Sequence, residues 1–153
     1  MLNASRLIRD LLNTNWNTGN TGSRTPDFKE YWQKKRVPGY ANTDVVYCYN
    51  RRSDEFPSAT GNVARRVLNR VSVDVRTNLT DDQSNLMEAE AKRIIRANVD
   101  YLVPSGQSHS TVGQQVIIEI IGTTPFSNTS DSDYYHNYKR VIELDLTSHK
   151  ELV

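Results

Sequence analysis

The chain has 153 residues, 37% of them hydrophobic, and a formal net charge of +1. That is enough apolar material for one domain, 1–153, and not comfortably for two. No run approaches the roughly eighteen apolar residues of a membrane span, and a single cysteine, Cys48, excludes an internal disulfide.

The opening MLNASRLIRDLLN has no continuous apolar stretch followed by a cleavage site, which predicts a protein that stays inside the cell that makes it. Residues 4 to 13 place Leu7, Ile8, Leu11 and Leu12 on one side, with Asn3 as N-cap, and so predict a short amphipathic helix. Turn formers fill 13 to 23. Phe28, Tyr31 and Trp32 then suggest a helical turn, ended by Pro38-Gly39. Thr43 to Tyr49 is β-branched and aromatic and predicts a strand, inside which Cys48 reads as a small core residue. Asn50 to Asn62 is polar and predicts an excursion before a second strand, about 66 to 77, antiparallel to the first.

That second strand carries the clearest alternation in the chain. Val71, Val73 and Val75 take every second place and face the core, leaving a polar face for solvent. A helix from Thr80 to about Asn98 follows, opened by a predicted capping box: the Thr80 hydroxyl accepts from the Gln83 N–H while the Gln83 side chain reaches back. Asp81 and Asp82 suit the positive end of its dipole, Glu88 stands four residues before Lys92, and Met87, Ala91, Ile94 and Ile95 share a face. Past Pro104-Ser105-Gly106, Gln115 to Ile121 is an apolar strand. Tyr138 to Thr147 is its partner, with Tyr138, Ile142, Leu144 and Leu146 on one face, across a polar loop from Pro125 to Tyr135. The predicted fold class is therefore α+β: a mainly antiparallel four-stranded sheet, one helix packed on a face, an N-terminal helix and long polar loops, in the order α-β-β-α-β-β. The polar stretches 14–27 and 123–137 are expected to be mobile until a partner orders them.

Chemistry is sparse. His109, His136 and His149 are far apart and read as solvated loop residues, and Asp131-Ser132-Asp133 lacks the other oxygens and the glycine of a calcium loop. Glu119 has no recognisable companions for a nuclease metal site, and no nucleophile-elbow, Walker or dinucleotide glycine pattern occurs. These absences point away from an enzyme and from any cofactor or metal. Charge is more informative: residues 1–76 sum to +6 and residues 77–153 to −5. In a monomer the two halves pair across the fold. In an oligomer a positive surface of one subunit meets a negative surface of the next. Lys34, Lys35, Arg36, Arg51, Arg52, Arg65 and Arg66, beside aromatic residues, are candidate contact residues, with Asp131 and Asp133 as acidic counterparts. The same basic and aromatic makeup is also that of a small nucleic-acid-binding domain.

The stretch RRVLNRVSVDVRTNLTDDQSNLMEAEAKRIIRANVDYL follows an amphipathic helix and the strand TDVVYCYN and precedes YHNYKRVIELDLTSHKEL. This order resembles the tail terminator or tail completion proteins of tailed viruses, with Arg70 to Val75 and Arg140-Val141-Ile142 in the places of that family's strand motifs. The neighbouring neck proteins, adaptor and stopper, are the alternatives within this resemblance. What it implies is a structural virion protein, assembled in the host cytoplasm. It would form a hexameric ring on the last ring of the tail tube protein, end tube growth, join the head-tail connector proteins and let genomic DNA pass through its lumen. No membrane is involved.

Overall fold

A computed structural model describes residues 3–30, 43–58, 61–102, 115–127 and 136–151. Helix α1 (Ala4–Asn15) begins where expected, because Asn3 caps it by accepting from the Arg6 N–H at 3.1 Å, and it buries Leu7, Ile8, Leu11 and Leu12. A 3-10 turn (Thr18–Thr21) follows, closed by Gly22 at φ +64°, a left-handed conformation that glycine adopts without strain. Strand β1 (Asp27–Lys29) leads to β2 (Val45–Ser58) and β3 (Gly61–Thr77), then helix α2 (Asp81–Ala97), β4 (Asp100–Leu102), β5 (Gln115–Ser127) and β6 (Tyr138–Glu151).

The predicted four-stranded, mainly antiparallel sheet is corrected by this structure. Six strands form one mixed, curled, half-barrel sheet in the order β1-β2-β3-β6-β5-β4, with two helices. β1 runs parallel to β2 and every other neighbour is antiparallel. The two missed strands are three residues each, too short to show a period. Backbone pairing to a longer neighbour holds them rather than apolar alternation, and Phe28 lies in β1 instead of a helical turn. Residues 50–58 and 61–62 of the polar excursion and 125–127 of the later loop are likewise strand, since β2 continues to Ser58, β3 begins at Gly61 and β5 continues to Ser127. Their polarity records solvated faces, not a lack of pairing.

Both helices lie on one face. Val46 and Cys48 of β2, Val71, Val73 and Val75 of β3, Val116 and Ile118 of β5, and Ile142, Leu144 and Leu146 of β6 form a core with Leu7, Ile8, Leu12, Met87, Ala91, Ile94 and Ile95. Burial pushes the Cys48 thiol well up from its usual range, so it stays protonated and inert. The opposite face of β3 is not the solvated one predicted: Ser72, Asp74 and Arg76 are buried there. Charge is admitted because it is paired. Arg76 Nη2 meets Asp74 Oδ2 at 2.8 Å, and the guanidinium lies 5.5 Å from the ring centre of the buried Tyr47.

The predicted capping box is half formed. Thr80 Oγ1 accepts from the Gln83 N–H at 3.1 Å, but the Gln83 side chain turns away. Its Nε2 donates to Asp44 Oδ2 and to Thr21 O, both at 3.0 Å. Asp44 also accepts from Arg24 Nε and Nη2 at 2.9 Å and from the Thr77 hydroxyl at 2.7 Å. Nor is 14–27 a free loop. Glu90 accepts from the Asn17 N–H at 2.6 Å and from Asn20 Nδ2 at 3.0 Å, which ties the 3-10 turn to α2.

Candidate interaction surface

Strand periodicity sends alternate residues of β2, β3, β6 and β5 to the face opposite the helices. Register then sets their neighbours. Arg70 stands across from Asp145 and makes two bonds to it, Nε to Oδ1 at 3.0 Å and Nη2 to Oδ2 at 3.3 Å; this pairing raises the pKa of Arg70 above its usual value. Ser72 stands across from Glu143 and shares its hydroxyl proton with that carboxylate at 2.9 Å, while Arg51 Nη1 reaches the same carboxylate at 3.0 Å. Tyr49, in the same row, has its pKa raised first by burial and then by the nearby Asp74.

Beyond the helices the β2–β3 hairpin continues as an arm. A bulge between Asn50 and Arg52 shifts the alternation, so Arg52, Asp54 and Phe56 line a shallow hollow of about 160 Å³ with Leu68 and Arg70. Arg52 Nε pairs with Asp54 Oδ2 at 2.5 Å, and the Arg66 guanidinium lies 5.3 Å from the ring centre of Phe56, its cross-strand partner. The hollow is smaller than a ligand pocket and its charges are already answered within the chain.

Arg51, Arg52, Arg65 and Arg66, predicted beside loops, are therefore strand residues. The first two and Arg66 are drawn onto one face, and the charge halves meet within the fold, Arg51 with Glu143 and Arg70 with Asp145. Lys34, Lys35, Arg36, Asp131, Asp133 and His109, with the expected turn at Tyr31 and Trp32, lie outside the described residues. His136 is not a solvated loop histidine: it is buried, and its Nε2–H donates to Thr43 O at 2.8 Å. His149 lies on β6, and the Glu119 side chain is exposed on β5. Among the described residues no three His, Cys, Asp or Glu side chains are grouped to hold a metal, and no helix is long and apolar enough to cross a membrane.

Sequence reasoning missed Asp44, which organises the junction of β1, β2, β3 and α2. Burial raises its pKa, but hydrogen bonds from Arg24, Thr77 and Gln83 outweigh burial and hold the carboxyl below its usual range. One aspartate in a strand sequence gives no signal of partners 20 to 39 residues away.

Strand edges complete the surface. Among the described residues β1 covers β2 only from Val45 to Tyr47, and β4 covers β5 only from Gln115 to Ile117. Beside the second edge, large apolar side chains stand in solvent: Leu102 is 62% exposed, Ile117 42% and Ile121 49%. Uncovered strand edges beside apolar side chains are suited to binding another chain. Compared with models of known families and with curated proteins, the chain matches none.

Proposed function

We propose that the protein is a ring-forming structural subunit of the tail-terminator type, with a steric and associative mechanism rather than a catalytic one. The observation that carries this reading is the shape of the sheet: its middle is packed on helices, while the β2–β3 arm and the β5 flank extend beyond them and, among the described residues, have exposed side chains and uncovered edges. Two unlike flanks on one molecule favour head-to-tail contact, which closes into a ring when the rotation allows. The partners in this reading are further copies, with a hexamer as the expected ring, the tail tube protein and the head-tail connector proteins. DNA passes through without sequence-specific contact, and no cofactor takes part.

The arrangement of the arginines favours protein contact over nucleic-acid binding. Arg51, Arg52 and Arg70 each face a carboxylate of the same chain, which lowers what each offers a phosphate, although the hairpin as a whole stays net basic. The test is a sizing measurement at two protein and two salt concentrations, beside a duplex DNA titration of the wild type and of an Arg51/Arg52/Arg65/Arg66→Glu variant whose folding is checked by melting. Concentration-dependent assembly that is lost in the variant, with weak DNA binding throughout, supports the ring. Tight DNA binding that is lost in the variant while oligomeric state is unchanged overturns it in favour of a nucleic-acid module.

A further inference from the structure

We infer that the edge of β5 from Glu119 to Thr124 pairs with the edge of β2 in a second copy, both edges being uncovered among the described residues, so that the sheet runs on from subunit to subunit. This rests on the ring reading and adds to it the contact itself.

The β5 edge begins at Glu119 because the Ile118 N–H already donates to Val99 O at 2.8 Å. It ends at Thr124 because Pro125 has no N–H to offer. At 3.3 Å per residue that leaves about 20 Å of outward backbone, as long as an ordinary strand. The β2 edge begins beyond Tyr47, where β1 stops. Chain directions agree: β2, β3, β6 and β5 alternate, so β5 runs opposite to β2, and a copy added in the same orientation pairs antiparallel like its neighbours. Each edge has a bulge, at Asn50/Arg52 on β2 and at Ile120/Gly122 on β5, so the fit is to a bent strand and not to any extended peptide.

A two-fold pairing of like edges satisfies the backbone equally well, and charge decides against it. Residues 51–70 hold five arginines against Asp54 and Glu55, whereas from Ala97 to Tyr138 the sequence has no lysine or arginine, and Asp100 and Glu119 lie on β4 and β5. Like edges bring two basic hairpins or two acidic flanks together; unlike edges bring opposite charges together, beside the exposed Ile121.

The experiment uses the full chain. Hydrogen exchange is followed below and above the concentration at which assembly begins, for the wild type, Glu119→Lys, and Arg51→Glu/Arg52→Glu. Both changes are at exposed positions, and melting confirms the fold. The outward amides of 119–124 are expected to slow by about tenfold or more on assembly. Each variant alone should stay small, and an equimolar mixture should assemble, because each β5 edge then finds a β2 edge of opposite charge. Oligomers whose 119–124 amides still exchange freely overturn the edge pairing and leave the ring reading standing. Growth that stops at a dimer overturns head-to-tail pairing. A wild type that remains monomeric at every concentration removes the ring reading and the inference together.

Discussion

Arg140 Nη1 lies 3.2 Å from Glu88 Oε1, and Arg140 Nη2 lies 3.3 Å from Asp81 Oδ1, so one strand residue holds two successive turns of α2. Its Nε also donates to the Ser84 hydroxyl at 3.0 Å. Arg140 is on the helix side of β6 and mostly buried, as is Glu88, so that pair is shielded from salt, whereas Asp81 is half exposed. Arg140→Met should cost about 1–3 kcal/mol in urea unfolding, the usual range for hydrogen bonds to charged groups. Arg140→Lys should recover only part, because an ammonium cannot span the three partners.

Gln83 separates the predicted capping box from the observed network. In a capping box glutamate serves as well as glutamine, yet here the side chain donates to Asp44. Gln83→Glu sets a carboxylate against a buried carboxylate and removes a donor from Thr21 O. It should destabilise by about 1–3 kcal/mol, whereas Thr80→Ala, which removes only the cap, should cost about 0.5–2 kcal/mol. Denaturant midpoints of the two variants, measured together, check the ranking; a neutral Gln83→Glu overturns the network.

Asp44 and Glu90 set the acid limit. For Glu90, burial raises the pKa, but bonds from Arg93, Asn20 and the Asn17 N–H outweigh it, and the net direction is downward, as for Asp44. A carboxyl held lower in the folded chain than in the unfolded one contributes fully above its unfolded value and is lost as pH falls through its folded value. Stability should therefore decline below about pH 4, the ordinary carboxylate range. Asp44→Asn, less stable at pH 7, should show a shallower decline when melting temperature is followed from pH 7 to pH 2.5.

Val73 is fully buried among the apolar residues beneath the helices. Val73→Asp should leave no folded protein, since an unpaired charge there costs several kcal/mol, on the scale of a domain's whole stability. A cooperative thermal transition in the soluble variant would contradict this placement.

What the sequence disclosed was governed by distance along the chain. The Asn3 and Thr80 caps, the Val71/Val73/Val75 face and the Glu88–Lys92 pair, 3.2 Å apart, depend on neighbours within a few residues, and all were legible. The two short strands, the inward turn of Gln83 and the role of Asp44 depend on partners brought close only by folding. The candidate surface was half legible: arginine pairs are visible in the sequence, but their joining on one face needs the register of β2 with β3 and the bulge at Asn50/Arg52. Polarity also misled, because an arm solvated on both faces has no apolar alternation to reveal it.

The place of β6 in the sheet orders events in time. It is the last of the described strands along the chain, yet it lies between β3 and β5, and its residues pair with β3 partners such as Arg70 and Asp145, 75 positions apart. Until it arrives, β3 and β5 each expose an inner edge, and the two sides of the sheet have no backbone link. Closure over so long a span makes folding slow relative to a helical bundle of this size. During synthesis the nascent chain must keep two sticky edges apart until nearly all of these residues have been added. Loss of residues from 138 onward thus divides the sheet in two instead of shortening it by one strand.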